Sequence, residues 1–200
     1  AYRFNTYIGM AVAGKVYGAA GLATMGVLAG TMVPFANLMA VGMLARHGQG
    51  RIFRELVRNP LILATLGGLL FNATGLTLPA PAAAFIARLA DASIALGLLA
   101  VGAALRWGHA GGHWGGSVWI AAVKLLALPT VAWFVGDAMG LEGVARGVLV
   151  LFGALPSASS AYILATRMGG DGPGVAWLIS VTTLVAMPTM AFWLKLLGGG

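Results

Sequence analysis

Long apolar runs separated by short polar breaks organise this chain. No residue between Lys15 and Arg46 carries a formal charge, and none between Arg58 and Arg88, where Pro79 and Pro81 divide the run. Further apolar segments cover Ala82–Leu105, Ser117–Gly136, Gly147–Thr166 and Gly174–Leu197. A bilayer core about 30 Å thick takes roughly 20 apolar residues of helix. The pattern therefore predicts six full transmembrane helices, preceded by a partial one in Ala1–Val16, where Arg3, Asn5 and Thr6 interrupt the apolar character. The expected fold class is all-α: a polytopic membrane protein.

Composition closes off the alternatives. Hydrophobic residues make up 60% of the chain and charged ones 8%, against about 25% charged in a soluble domain. That supply of charge cannot cover a water-facing surface, and disorder needs the opposite balance. The net charge of +7 would suggest nucleic acid in a soluble protein. Here the basic residues cluster between spans and at their ends, with no basic helical stripe, so no nucleic-acid partner is expected. The only strongly hydrophilic stretch is RHGQGRIFRELVRN, with Arg46, Arg51, Arg54 and Arg58 against Glu55. The positive-inside rule puts this 46–59 loop in the cytoplasm and the C-terminus outside; the expected location is a bacterial inner membrane. No cysteine is present, which removes disulfides and thiolate metal sites.

Two segments echo each other. NTYIGMAVAGKVYG (Asn5–Gly18) aligns with SASSAYILATRMGG (Ser157–Gly170): small polar residues, a short apolar half-helix, one basic residue, then a glycine turn. Lys15 falls on Arg167, Gly18 on Gly170, and Val33–Pro34 of the next span matches Met187–Pro188. An odd number of spans separates the copies, so they enter the membrane from opposite sides. Secondary transporters use such inverted repeats, in which interrupted helices meet near the midplane and form the substrate site.

The strongest local feature is Leu155-Pro156-Ser157-Ala158-Ser159-Ser160-Ala161-Tyr162. Proline breaks the helical hydrogen-bond ladder, and a broken helix survives in the membrane only when buried in protein or beside a wet cavity. The half-helix that follows offers unpaired N–H groups with partial positive charge, a seat for a carboxylate; a proline kink satisfied by serine back-bonding is the plainer reading. Arg3, Asn5 and Thr6 form the matching interruption. Lys124 lies inside its span and is expected to snorkel to the headgroups, with a coupling role as the alternative. Arg88 and Asp91, three apart, are expected to pair near the outer interface, with proton relay by Asp91 as the alternative. Asn37 and Asn72 suit interhelical hydrogen bonds. His109 and His113 sit in a glycine-rich turn without a third ligand, so no metal or other cofactor is expected. No nucleophile–base pair is visible, and the chain is not expected to be an enzyme.

Arg58-Asn59-Pro60-Leu61 leading into GGLLFNATGLTLP, and LPSASSAYILATRMGGD after it, resemble the C-terminal half of the auxin efflux carrier family, which includes plant auxin exporters and bacterial malonate or malate permeases. RFNTYIGMAVAGKVYGAAGLA, running on to MVPFANLMAV, resembles that family's fourth and fifth helices. The resemblance implies ten helices in two inverted five-helix repeats with broken, crossed fourth and ninth helices. It places Asn5–Thr6 and Pro156–Ser157 at the crossing, where the substrate carboxylate binds. Residues 1–45 would end the first repeat, 46–59 form the cytoplasmic loop and 60–200 form the second repeat. The first three helices of the pattern have no counterpart here, so an N-terminally incomplete member is expected.

The expected function is secondary transport of a small organic carboxylate by alternating access. Arg3, Asn5, Thr6, Pro156, Ser157, Ser159, Ser160 and Tyr162 would form the substrate site, with Lys124, Asp91, Lys15 and Arg167 as coupling or gating candidates. A cation- or proton-coupled antiporter and a non-transporting membrane subunit are the rivals. The lipid bilayer is the expected surround, and a homodimer is left open.

Overall fold

A computed structural model of the chain describes residues 3–45, 60–103, 105, 114–167 and 169–198. Among these the architecture is all-α, with seven helical segments and no strand. The first, α1 (Thr6–Ala45), follows a short extended segment and bends sharply at Gly18, whose φ of 62° and ψ of −149° suit only a residue without a side chain. Pro34 lies further along the same helix. Helix α2 (Pro60–Ala73) opens on a proline and is 14 residues long. It ends where the Thr74 hydroxyl donates back to the Phe71 carbonyl at 2.6 Å and Gly75 takes a φ of 67°. Helix α3 (Ala80–Ala103) follows.

Helix α4 (Trp114–Ala138) contains a five-residue π-turn, Val123–Ala127. Its cause is legible. Pro129 has no N–H for the Leu125 carbonyl four residues back, and the Trp193 indole donates to that carbonyl instead, at 3.1 Å. Helix α5 (Gly143–Gly153) returns antiparallel to α4. Their hairpin is tied by an Arg146–Asp137 ion pair at 3.0 Å, with the guanidinium 4.6 Å from the Trp133 ring centre. A side-chain carbon added at Gly153 would stand 3.0 Å from Pro129 Cα and 3.1 Å from the Leu128 carbonyl, so glycine is what lets the two helices touch. Then come the non-helical stretch Ala154–Ser159, helix α6 (Ser160–Arg167) and helix α7 (Gly172–Gly198), which contains Pro188.

The core joins α1, α4, α5 and α7 through Met25, Leu125, Val148, Leu151, Leu155, Met190 and Trp193. Outward positions carry large apolar side chains, among them Phe85, Leu99, Trp119 and Phe134, each more than half exposed. Buried inward and greasy outward is the arrangement a bilayer demands. This is a polytopic membrane protein.

Several expectations need correction. Instead of six full spans, four stretches among the described residues are long and apolar enough to cross: Thr6–Ala36, Ala80–Ala103, Trp114–Ala138 and Gly172–Gly198. The Pro60 run stops early at its Thr-Gly cap, and the Gly147–Thr166 run is two short helices around the Pro156 break. Arg88 and Asp91 do not pair. Both are exposed, Asp91 is the twelfth of 24 residues in α3 rather than near its end, and the ion pair found among the described residues is Arg146–Asp137. The 46–59 loop, His47, His109 and His113 lie outside the described residues, as does the side chain of Asn37.

Candidate functional site where the starts of two helices meet

The two polar interruptions meet. Phe4 and Ser157 form an isolated antiparallel bridge. The Asn5 N–H donates to the Pro156 carbonyl at 2.9 Å, and the Ala158 N–H donates to the Arg3 carbonyl at 3.2 Å. Each break thus supplies the partner the other lost, which is how non-helical backbone is tolerated inside a membrane protein. Because the two extended segments run antiparallel at the bridge, α1 and α6 leave it in opposite directions, with their positive N-terminal ends adjacent.

Local chemistry fixes each start. Asn5 Oδ1 accepts the Ile8 N–H at 3.3 Å as an N-cap. On the other side the Ser157 N–H donates to Thr182 Oγ1 on α7 at 3.2 Å, and Thr182 donates in turn to the Leu178 carbonyl at 2.8 Å. The rings of Phe4 and Phe152, 4.5 Å apart, pack beside the bridge. Three polar atoms at the crossing are buried without a partner: Asn5 Nδ2, Ser157 Oγ and Ser159 Oγ. Buried polar groups are rarely left so.

A cavity of about 390 Å³ opens against the bridge. Its polar end is formed by Arg3, Asn5, Thr6, Ser159 and Ser160. The rest of the wall is apolar: Tyr7, Met10, Ala29 and Val33 of α1, with Gly97, Ala100 and Val101 of α3. Five of the eight anticipated substrate residues are therefore brought together. Pro156 and Ser157 belong to the bridge but are fully buried and do not line the cavity, and Tyr162 is 40% exposed and also off its wall.

The coupling candidates scatter. Lys15 is exposed just before the Gly18 bend, Asp91 is exposed on α3, and Arg167 ends α6. Lys124 does not snorkel. It is 5% exposed, and its ammonium donates to the Arg3 carbonyl at 3.2 Å. The side chain leaves the π-turn toward the protein interior. Asp171 accepts the Gly174 N–H at 2.9 Å and so caps the start of α7.

Sequence reasoning missed Tyr7 and Gly97. The Tyr7 ring lies directly on Gly97, where any Cβ would collide with it. A glycine in an apolar span was the sole signal, and its partner is ninety positions away. Gly97→Ala is expected to force α3 off the crossing and lower the melting temperature by about 5 °C, while Tyr7→Ala in the same chain recovers most of the loss. Additive losses in the double variant would show that the two residues do not act through this contact.

Comparison with known proteins adds the following. The family described as membrane transport protein matches residues 43–194. An uncharacterized transporter of Methanothermobacter thermautotrophicus is 26% identical over 192 residues, which cover 94% of this chain and 62% of that protein. The chain thus spans less than two thirds of that relative's length. No solved structure matches.

Proposed function

Since this chain belongs to the membrane transport protein family, as the sequence resemblance anticipated, we propose that it is a secondary carrier for a small organic carboxylate working by alternating access. The observation that carries this reading is the antiparallel meeting, at the polar end of a cavity, of the extended segments that open α1 and α6. Helix N-termini and unwound backbone at such a crossing are how secondary transporters hold ionic substrates. The carboxylate would take the N–H groups that open α6 at Ser159 and Ser160, with Ser159 Oγ and Asn5 Nδ2 as further donors and Arg3 as the neighbouring positive charge. Rocking of the helices packed around the crossing would open the cavity to each side in turn.

The wall of the cavity refines the substrate. Away from its polar end it offers methyl, methionine and aromatic surface, which favours a carboxylate with an apolar body over a second carboxylate. The volume suits a ligand of that kind. The antiporter rival needs a carboxylate in the site. Among the described residues Asp91 is off the cavity wall and Asp171 is spent on a helix cap. A non-transporting subunit would have dry, packed breaks, and a cavity beside them speaks against that.

The test is uptake of labelled phenylacetate and labelled malonate by proteoliposomes holding the whole gene product. Phenylacetate is expected to enter faster, and Ser159→Ala to slow it by on the order of tenfold. Absence of uptake for both acids, or a Ser159→Ala variant as fast as the wild type, would sink the assignment.

A further inference from the structure

The crossing holds a buried cation that belongs to the protein itself. Lys124 is 5% exposed, and the partner found for its ammonium is the Arg3 carbonyl, 3.2 Å away. That oxygen is no ordinary carbonyl. It belongs to the unwound segment before α1, and it also accepts the Ala158 N–H from the opposite break. Carbonyls freed by unwinding are the groups with which transporters of this general design ligate a coupling Na⁺.

Among the described residues no acidic side chain stands near enough to pair with the ammonium. The acids among the described residues are Asp91, Asp137, Glu142 and Asp171; all are exposed, and none lies within 4.0 Å of Lys124. A buried charge without a counter-ion is expensive and is kept for a purpose. The π-turn Val123–Ala127 that delivers the side chain is a distortion of the kind that recurs at functional sites. It is stabilised from outside the site by the Trp193 indole on Leu125.

We propose that Lys124 is a tethered coupling cation: its ammonium occupies the carbonyl position at the crossing that a free alkali ion would otherwise take. The carrier then needs no Na⁺ or K⁺ to hold its two breaks together, and the positive charge at the crossing travels with the protein rather than with the substrate. This rests on the carrier reading only for the word coupling; the cation position follows from the Lys124–Arg3 contact.

The experiment measures thermal unfolding of the purified whole gene product in choline, sodium and potassium chloride at equal ionic strength. The wild type is expected to melt at the same temperature in all three. Lys124→Ala, which leaves the carbonyl and an ammonium-sized space, is expected to gain about 3 °C or more in sodium or potassium over choline. Lys124→Met, which fills the space without charge, is expected to lose that response. A wild type stabilised by sodium over choline, or a Lys124→Ala variant indifferent to the cation, would overturn the proposal. If neither variant folds, the wild-type comparison decides. Uptake assays separate the two readings: a cation pattern as described with no carboxylate moved would remove the anion carrier and leave the tethered cation standing.

Discussion

Asn5→Asp is expected to abolish anion transport, by on the order of 100-fold, while the protein still folds. The side chain has two jobs at opposite ends. Its oxygen caps α1 through the Ile8 N–H. Its Nδ2 is buried without a protein partner, on a residue that lines the polar end of the cavity. Aspartate keeps the cap, since a carboxylate at a helix N-terminus is favourable. It replaces the donor by a negative charge, which an arriving carboxylate cannot approach. Asn5→Ala separates the roles the other way. It loses the cap, about 1 kcal/mol, and should melt some 2–4 °C lower, yet it puts no like charge in the substrate's path and should transport better than Asn5→Asp. Uptake rates with melting curves on the same preparations decide the matter. Near-normal uptake by Asn5→Asp would mean that no anion passes this residue.

The second large effect concerns folding. A methyl group at Gly21 would sit 2.5 Å from the Ala13 carbonyl and 2.5 Å from Tyr17 Cβ, because the bend at Gly18 folds α1 back on the turns before it. Neither obstacle is the flexible end of a side chain. Gly21→Ala should therefore open the bend, at a cost of about 3 kcal/mol, and lower the melting temperature by roughly 10 °C. Gly14→Ala is the control. The nearest atom to its added carbon is Leu22 Cδ1 at 3.7 Å, an ordinary contact, and alanine favours helix over glycine by roughly 1 kcal/mol. It should melt no lower than the wild type. Equal melting of the two variants would show that the bend does not constrain the fold.

The sequence revealed the membrane setting, the glycine that bends α1 and the polar interruptions at Asn5 and Pro156, because each rests on local chemistry: apolar run length, backbone freedom, a missing N–H. It did not reveal which side of the second break faces the cavity. Ser157 and Ser159 are two residues apart in irregular backbone, where neither helical nor strand periodicity assigns a side, and the structure buries one in the bridge and puts the other on the cavity wall. Lys124 was misread for a related reason. A regular helix projects each residue by a fixed angle, and the π-turn breaks that regularity at the lysine itself. Its cause, Pro129 depriving Leu125 of a donor, is written in the sequence. The rescue by Trp193, on another helix, is not.

The bridge between Phe4 and Ser157 joins positions about 150 residues apart. At synthesis rates of about 5–20 residues per second, the later one leaves the ribosome roughly 8–30 s after the earlier. For that interval the Asn5 N–H lacks the Pro156 carbonyl to which it donates in the finished protein. The nascent segment must either wait at the interface, in water, or be sheltered by the insertion machinery. Truncations that stop short of Ser157 should therefore be recognised as misassembled by membrane quality control, even though every apolar span up to that point is already in place.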